Sequence, residues 1–445
     1  MLALGAVLVT SAGYADDDKT PAGATRAGNT EGTIPEWSGG LPQSAWPQGY
    51  GTDRHLADPF PHDLPLFTIT ARNYRAYAHA LSAGHQALLK KFPDYRLPIY
   101  PSHRIVSFPQ QILEATQLNA TTARLAGPDQ LEGARLGFPF PAPRTGVEAM
   151  WNHRVRYRGD SVESLSMDAL VLPDGSAPAF VHKRRWRLSR YANLGEPADP
   201  ARELGLAYTR MAFSESRSGA FKGFNLWHDS VDAVLQPRRF WGAGSDGRWI
   251  RSAGVDYDGT VDDAGGLVFF DMGDMYNGAF DRYTWKLLGK RELYVPYDSY
   301  RLADNSHRYE DLLTPRFLNP DAARYELHRV WVVEATLLPE RHHAFGKRVF
   351  YIDEDSWSIV LVENYDPHGK LWRVQEGHVL PNYALQLMSP YVQVTYDLRN
   401  GVYHAAGLTA EEPPARFNLS RLTDRDFHPT RPVFAAMDSA SSQGR

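Results

Sequence analysis

The sequence predicts an α+β fold that is mainly antiparallel β-structure, with one large sheet and a few helices. From about Trp151 onward, nearly every segment is a strand-sized run between turn residues. Consecutive runs are joined by turns as short as "EDS" and "PHG", which is typical of an antiparallel meander. In the run that starts at Tyr325, apolar residues alternate with Glu326, His328 and Glu334, which predicts a strand with one apolar face.

Two helices are predicted ahead of these strands. Apolar residues between Tyr74 and Phe92 fall near helical spacing and predict a helix over about 72–92. A second helix is predicted over 110–125, directly after Pro109, because its apolar residues share one face. With only two helices for so many strands, most of the protein must be sheet and loop.

The first part of the chain indicates export. Residues 1–15 are an apolar run that ends in small residues, with Gly13 and Ala15 placed as in a signal-peptidase site. The run lacks the usual Lys or Arg, so an apolar N-terminal strand is the alternative interpretation. Residues 16–65 are dense in Pro and Gly and predict an extended arm. We expect 66–445 to form a single large sheet domain.

Composition restricts the possible partners and location. The chain has 445 residues, of which 43% are hydrophobic and 22% charged, as expected for a folded globular protein. A formal net charge of -4 provides no overall positive field, so we expect no nucleic acid partner. The absence of Cys excludes disulfides, thiolate metal sites and a lipidated Cys. Together with the signal peptide, this predicts a periplasmic protein that is not lipidated.

Several short patterns resemble functional motifs, but their spacing favours structural roles. Gly242–Gly247 matches G-x-G-x-x-G, yet no apolar strand precedes it and no helix follows. The acidic loop Asp256–Asp263 does not have the ligand spacing of an EF-hand. His342 and His343 are adjacent, without an obvious third metal ligand. No nucleophile elbow is present. We therefore assign no catalytic residue, no metal site and no cofactor.

The run His182–Arg190, "HKRRWRLSR", is the only dense basic segment. On a strand its charges divide between the two faces, which weakens any single basic patch. We interpret it as a solvated edge of the sheet, since Lys and Arg protect sheet edges against aggregation.

The segment Phe269–Pro296 combines acids, methionines and aromatics. Asp271 and Asp274 resemble a metal-ligand pair, but the neighbouring Met sulfurs are soft and the segment contains no His. We interpret "LVFFDM" as a strand, Asn277-Gly278 as a turn, and "YTWKLLGKRELYVP" as another strand. The Met and aromatic side chains would then be adaptable apolar surface, suited to packing or to lining a cavity.

The apolar side of the sheet needs a cover, and two helices can cover it only in part. A remaining apolar groove would suit an acyl chain, a sterol or similar cargo. A well-filled core explains the same residues, and both interpretations stay open. The residues that we expect to line such a cavity are Met272, Met275, Tyr276, Phe280, Trp285, Trp331, Val333, Phe350, Ile352, Val360, Val362 and Trp372.

Seven blocks of the chain carry a resemblance to a known family. The blocks are "AGNTEGTIPEWSGGLP", "GHQALLKKFPDYRLPIYPSHR", "NATTARL", "GFPFPAPRTGVEAMWNHRVRYRG", "MYNGAFDRYTWKLLGKRELYVPY", "YELHRVWVVEATL" and "HAFGKRVFYIDEDSWSIVLVENYD". In this order they resemble the exported proteobacterial proteins known as domain of unknown function 1329, and the resemblance runs from about Gly28 to about Val379 and beyond.

The resemblance implies a fold similar to the outer-membrane lipoprotein carriers, which is an incomplete, strongly curved antiparallel barrel with helices on its concave face and a hydrophobic cavity. Family members often accompany inner-membrane pumps of the resistance-nodulation-division (RND) type and an outer-membrane protein. The family has no agreed catalytic residues, so none is carried over. This chain is also much longer than a minimal lipoprotein carrier.

These observations support two hypotheses of different classes. The first is a periplasmic, non-enzymatic carrier or chaperone for a lipid-like or other apolar small molecule, working with an RND-type exporter and an outer-membrane partner. The alternative is a periplasmic hydrolase or glycan-binding protein with a Trp-lined cleft and a carboxylate pair.

Overall fold

A computed structural model describes residues 18–48, 50, 55–195, 205–215, 220–252, 257–389 and 391–431. The predicted signal peptide, residues 1–15, lies outside the described residues. Among the described residues, no helix is long and apolar enough to cross a membrane.

Strands dominate the described part of the chain. The helices are α1 (Ala83–Lys91), α2 (Gln110–Thr122), α3 (Gly146–Val155) and α4 (Tyr309–Leu312). Short 3-10 helices occupy Gln43–Ala45, Tyr74–Ala80, Asp262–Ala264, Phe270–Met275, Tyr300–Ala303 and Asp424–Phe427. The strands are β1 (Phe67–Thr70), β2 (Arg96–Ile99), β3 (Arg124–Gly127), β4 (Gln130–Glu132), β5 (Ser161–Val171), β6 (Ala179–Ser189), β7 (Gly205–Ser214), β8 (Gly223–Ser230), β9 (Arg239–Ala243), β10 (Ile250–Ser252), β11 (Tyr283–Pro296), β12 (Tyr325–Leu337), β13 (Lys347–Asp353), β14 (Ile359–Tyr365), β15 (Leu371–His378), β16 (Pro381–Asn382), β17 (Leu387–Met388), β18 (Val392–Asp397), β19 (Tyr403–Leu408) and β20 (Arg416–Phe417).

One sheet of 16 strands forms the body of the protein. Its main path runs β1-β2-β12-β13-β14-β15-β18-β19-β5-β6-β7-β8-β9-β10, with β11 paired to β12 and β20 paired to β5. Apart from one parallel bridge between β2 and β12, the pairs are antiparallel. The sheet is curved and unclosed, and its end strands β1 and β10 do not pair with each other in the part of the chain described. The predicted fold class is confirmed.

The helical segments differ in detail from the predicted ranges. Where one helix over 72–92 is predicted, a 3-10 helix and α1 follow each other, because Leu81 is extended and the Ser82 side chain caps α1 by accepting from the His85 backbone N–H. Helix α2 ends at Thr122 because β3 begins two residues later.

Helix α3 extends to Val155, past Trp151, where strand-sized runs are predicted to begin, so the predicted start of the strand region is wrong. Its N-cap is Thr145, whose hydroxyl accepts a hydrogen bond of 3.2 Å from the backbone N–H of Glu148. The spacing T-x-x-E is a known start signal for helices and was available in the sequence. The burial of nearly the whole helix removed the amphipathic pattern that identifies surface helices.

The N-terminal arm lies against the sheet through its backbone carbonyls. Trp357 Nε1 donates to the carbonyl of Ala22 at 2.9 Å, and Arg104 Nη2 donates to that of Thr25 at 2.7 Å. Because Trp357 is fully buried, the arm is part of the core cover and not a loose extension.

Helices cover both faces of the sheet. Helix α1 packs on β14 and β15, where the backbone N–H of Gly84 donates to Glu363 at 2.8 Å. Helix α3 packs on β11 and β12 on the opposite side, where Gly146 contacts Val333. We call these sides the α1 face and the α3 face. The predicted placement of helices on a single concave face is therefore incomplete, since α1 lies on the other side.

Candidate ligand-binding site

The α3 face is filled by side chains at its β11–β14 end. Most of the residues predicted to line a cavity meet here in one core cluster, and their side chains pack on one another. These are Met275, Tyr276, Phe280, Val333, Phe350, Ile352, Val360 and Val362, with Trp285 and Trp331 partly buried against them. Met272 and Trp372 belong to a smaller neighbouring cluster around Phe269 and Phe345. We call this region the filled end.

A cavity of about 200 Å³ lies further along the same face. Strands β5 to β9, β15, β18 and β19 form its floor, and residues from the loop 257–277 form its roof. Its apolar wall includes Met211, Trp227, Phe240, Phe269, Phe270 and Met272. Of the residues predicted to bind ligand, Met272 is the one that lines this space. We call this region the open end.

Strand register explains why polar and apolar groups alternate across the cavity floor. Arg185 on β6 is directly opposite Met211 on β7, and Met211 is opposite Asn225 on β8. Trp227 is likewise opposite Phe240 on β9. Because side chains directly opposite in a ladder share a face, the floor presents a guanidinium beside apolar groups. This mixed lining could not be predicted without knowing the strand order.

The interpretation of the basic run His182–Arg190 as a sheet edge is wrong. Strand β6 lies between β5 and β7, deep inside the strand order. Alternation sends Lys183, Arg185 and Arg187 to the α3 face, while Trp186 is buried in a cluster on the other side. The charges are tolerated at a central strand because the α3 face stays hollow there.

The roof of the cavity is a 3-10 helix, Phe270–Met275, and not the predicted strand "LVFFDM". The helical segment is kinked at Gly273 and Asp274, and Asp274 has a left-handed backbone with φ of 54°. Asp271 fixes the turn, since its carboxylate accepts from Arg348 Nη1 at 2.7 Å and lies 3.1 Å from His343 Nε2. These tertiary contacts, absent from the local pattern, decide the conformation of the segment.

Asp274 faces the cavity and is surrounded by positive charge. Its carboxylate accepts from Arg156 Nη1 at 3.0 Å and from Arg158 Nη1 at 2.5 Å. Tyr391 Oη also donates to it at 3.3 Å. Burial alone would raise the pKa of Asp274, but the two guanidinium groups lower it far below its ordinary value. Asp274 is therefore a permanent anion that holds both arginines.

Two more arginines, Arg185 and Arg187, extend this basic cluster along β6. Arg185 is exposed into the cavity, and Arg187 is half-buried. Within the described residues, neither guanidinium has a carboxylate oxygen within 4.0 Å. Burial, together with repulsion from Arg158, lowers the pKa of Arg187 well below its ordinary value. The charged form of Arg187 is thus destabilised in the ligand-free protein.

On the other side of the cavity, Lys183 is fully paired. Its ammonium lies 2.5 Å from Asp168 and 2.9 Å from Asp263. Burial opposes the charge, but these carboxylates raise the pKa of Lys183. Burial lowers the pKa of the adjacent His404, which keeps its ring neutral. Asp263 belongs to the acidic loop, and its role here is an ion pair across the roof.

A buried group of His328, Asp353 and Asp355 places one ligand atom from each residue within 4.8 Å. Both oxygens of Asp355 accept from Arg104, at 2.8 and 2.7 Å. Because that carboxylate is already neutralised by a bidentate arginine, the group lacks the free donors that a metal needs. Burial and the neighbouring Asp355 raise the pKa of Asp353 to about 6.

Comparison with known proteins identifies the family. The model of the family "Protein of unknown function (DUF1329)" matches residues 68–431. An uncharacterized protein of Pseudomonas aeruginosa is 39% identical over 430 residues, which cover 96% of this chain and 93% of that protein. The chain belongs to the DUF1329 family.

Solved structures show weaker likeness. A crystal structure of a DUF1329 family protein from Desulfovibrio piger is 10% identical, covers 61% of this chain and 90% of that chain, and has a TM-score of 0.40. A LolA superfamily protein from Nitrosomonas europaea is 16% identical, covers 64% of this chain and 98% of that chain, and has a TM-score of 0.37. Likeness at this level carries no conclusion about what this protein binds.

Proposed function

We propose that this DUF1329 protein is a periplasmic carrier or chaperone that binds a lipid-like ligand in the open end of the α3 face. The observation that carries the proposal is the cavity of about 200 Å³, whose lining combines an apolar wall with polar and charged side chains. Small-molecule sites are concave, mostly apolar and oriented by a small number of polar side chains.

The wall of the cavity is suited to a variable apolar chain. Met211 and Met272 supply flexible thioether side chains, which adapt to ligands of different shape. Phe240 and Trp227 supply flat apolar surface, with ring centroids 6.3 Å apart. The roof is tied to the sheet, because the backbone N–H of Met275 donates to Gln393 at 3.0 Å. Such a pocket can take up cargo without refolding of the sheet.

The alternative of a hydrolase finds less support in this cavity. Its two lining carboxylates, Asp168 and Asp274, are both held in ion pairs. Neighbouring cations lower the pKa of each one, although burial opposes the shift. A glycosidase needs one carboxyl group with a raised pKa to act as a general acid. Among the described residues, the carboxyls with raised pKa are Asp58, Asp298 and Asp353, and none of them lines this cavity.

We also propose that the carrier works with an RND-type exporter and an outer-membrane protein, the partners that the family resemblance implies. A tagged protein purified from its native host under mild crosslinking should retain both partners. Co-purification with no membrane protein would contradict this part of the proposal and would leave ligand binding untouched.

Native mass spectrometry of the protein purified from its host tests the carrier function. We expect an extractable apolar molecule bound to the wild type. Ala406 lines the cavity, so Ala406→Phe should fill the space and abolish the bound mass. Ala177→Phe, at an exposed turn position, is the matched control and should keep it. Wild-type protein that is empty, both as purified and after incubation with a lipid extract, would refute the proposal.

A further inference from the structure

The open end of the α3 face carries an excess of positive charge. Arg156 and Arg158 both pair with Asp274, so three charges are already in contact and leave one positive charge over. Arg187 interacts electrostatically with Arg158 and Asp274, and Arg185 does so with Arg158. Two carboxylates, Asp274 and Asp229, therefore lie near these four guanidinium groups, and Asp229 is already paired with Arg238.

Resting on the proposed function, we propose that the cargo is an anionic amphiphile. Its carboxylate, phosphate or sulfate head group is bound between Arg158, Arg185 and Arg187. Its apolar part lies along Met211 and Trp227 in the cavity wall.

The first argument is electrostatic. A half-buried guanidinium without a counter-ion is unfavourable, because it loses hydration and gains no partner. The side chains of Arg158 and Asp274 are each 22% exposed, so solvent or a ligand reaches this cluster. An anion placed here would offset the repulsion between Arg158 and Arg187, and this gain is available only to the ligand-bound protein.

The second argument is geometric. Arg185 and Arg187 are two residues apart on β6, so their side chains leave the same face of the sheet. Arg185 is also directly opposite Met211, which places a head-group contact beside an apolar contact. Arginine presents planar, paired N–H donors that match carboxylate and phosphate oxygens. A neutral apolar ligand would leave these donors unused.

The remaining charges of the cavity do not compete for the same head group. Lys183 is already neutralised by Asp168 and Asp263. Arg238 donates to Asp229 at 2.5 Å and to Asn277 at 2.9 Å. Among the residues that the structure describes, the excess positive charge of the cavity therefore lies on the side next to Asp274.

Isothermal titration calorimetry with four probes separates the components of the ligand. The probes are octyl phosphate, 1-octanol, octylamine and inorganic phosphate, each below its aggregation limit. We expect octyl phosphate to bind at least tenfold more tightly than the other three. Equal binding of octyl phosphate and 1-octanol, or tighter binding of octylamine, would overturn the anionic head group. Inorganic phosphate that binds as tightly as octyl phosphate would indicate a free anion as the ligand, and would also overturn the proposal.

Variants assign the head group to its residues. Arg185→Gln and Arg187→Met should each weaken octyl phosphate binding about tenfold, the usual loss for a hydrogen bond to a charged group. Binding of 1-octanol should change less than twofold. Arg251→Gln removes a charge from the exposed strand β10 and is the matched control, with an expected change below twofold. Octyl phosphate affinity that is unchanged in both the Arg185 and the Arg187 variant would overturn the assignment.

The two proposals fail in different ways. An apolar molecule found in the native protein upholds the carrier even if octyl phosphate does not bind. In that case the anionic head group alone is refuted. Arg185→Gln alters an exposed side chain, and its circular dichroism spectrum should match that of the wild type. This control distinguishes a loss of binding from a loss of fold.

Discussion

Asp271 and Asp274, three residues apart, belong to two different regions of the α3 face. At the filled end, Asp271 is fully buried and holds Arg348, itself fully buried, among packed aromatic rings. At the open end, Asp274 is 22% exposed and shares its charge among several arginines. An aspartate thus neutralises a buried arginine inside the packed core in one region and lines a cavity in the other.

The difference shows what keeps a space open in a sheet protein. Phe350, Val360 and Val362 at the filled end are apolar and pack to exclude water. At the open end, Arg185 and Arg187 alternate with Met211 and Trp227, so close packing would desolvate charges. The charged side chains thus occur where the face is hollow, and the packed region is lined by apolar residues.

Truncating one phenylalanine in each region should give the largest effect. Phe350 is 0% exposed and contacts Tyr276 and Trp285, so Phe350→Ala should lower the free energy of unfolding by about 3–5 kcal/mol. Phe240 is half-buried at the cavity wall, and Phe240→Ala should lower it by less than about 2 kcal/mol. Urea unfolding of Phe350→Ala and Phe240→Ala measures both changes in unfolding free energy. Equal decreases would show that the open end is packed as tightly as the filled end.

Removing the two aspartate charges should give the next largest difference. Asp271→Asn leaves Arg348 buried without a counter-ion and should destabilise the protein by about 3–5 kcal/mol. Asp274→Asn also removes the counter-ion of the buried Arg156, but we expect a smaller loss because the side chains of Asp274 and Arg158 are each 22% exposed and solvent replaces part of the interaction. Thermal and urea unfolding test the ranking. A larger loss for Asp274→Asn would contradict the assignment of the two regions.

Two buried carboxyl groups, Asp353 at the end of β13 and Asp168 at the open end, should respond to pH with opposite sign. The pKa of Asp353 is raised from 3.8 to about 6, so the native state holds this proton more tightly than the unfolded state. Its stabilising contribution is complete below pH 3.8 and is lost as the pH rises through 6, by at most about 3 kcal/mol. The pKa of Asp168, at the open end, is lowered, so its contribution is present above pH 3.8 and is lost on acidification.

Urea unfolding at pH 4 and pH 7 separates these two contributions. The difference in unfolding free energy between wild type and Asp353→Asn should fall between pH 4 and 7. The corresponding difference for Asp168→Asn should not fall over that range. If the unfolding free-energy difference from wild type changed equally with pH for both variants, the pKa of Asp353 would not be raised.

The smallest expected effect is a gain in stability when Arg187 is replaced. Arg187→Met removes a half-buried charge that lies near Arg158, and should raise the free energy of unfolding of the ligand-free protein by about 1 kcal/mol. The melting temperature measured by calorimetry reports the change. A matching gain for Arg251→Met, on an exposed edge strand, would show that the effect reflects net charge and not the cluster.

Particular residues show how far the sequence could be interpreted. Alternation around Trp331 and Val333 correctly indicated an apolar strand face, because a strand's periodicity is local. The capping signal at Thr145 was also local. Because nearly all of α3 is buried, however, its sequence lacks the amphipathic pattern that would have supported a helix. The position of β6 within the sheet could not be predicted from the sequence, because the strand order depends on contacts between residues far apart in the chain.

The sequence by itself determined the antiparallel fold class and the family, because strand length, turn residues and the blocks that resemble the family are properties of short segments. The tertiary structure alone decided which apolar face is filled and which part stays hollow. That choice depends on register, which sets Arg185 beside Met211, and on long-range ion pairs such as Asp274 with Arg156. Strand register and long-range ion pairs both depend on residues far apart in the sequence. The structural roles of the basic run and the acidic loop therefore follow only from the folded sheet.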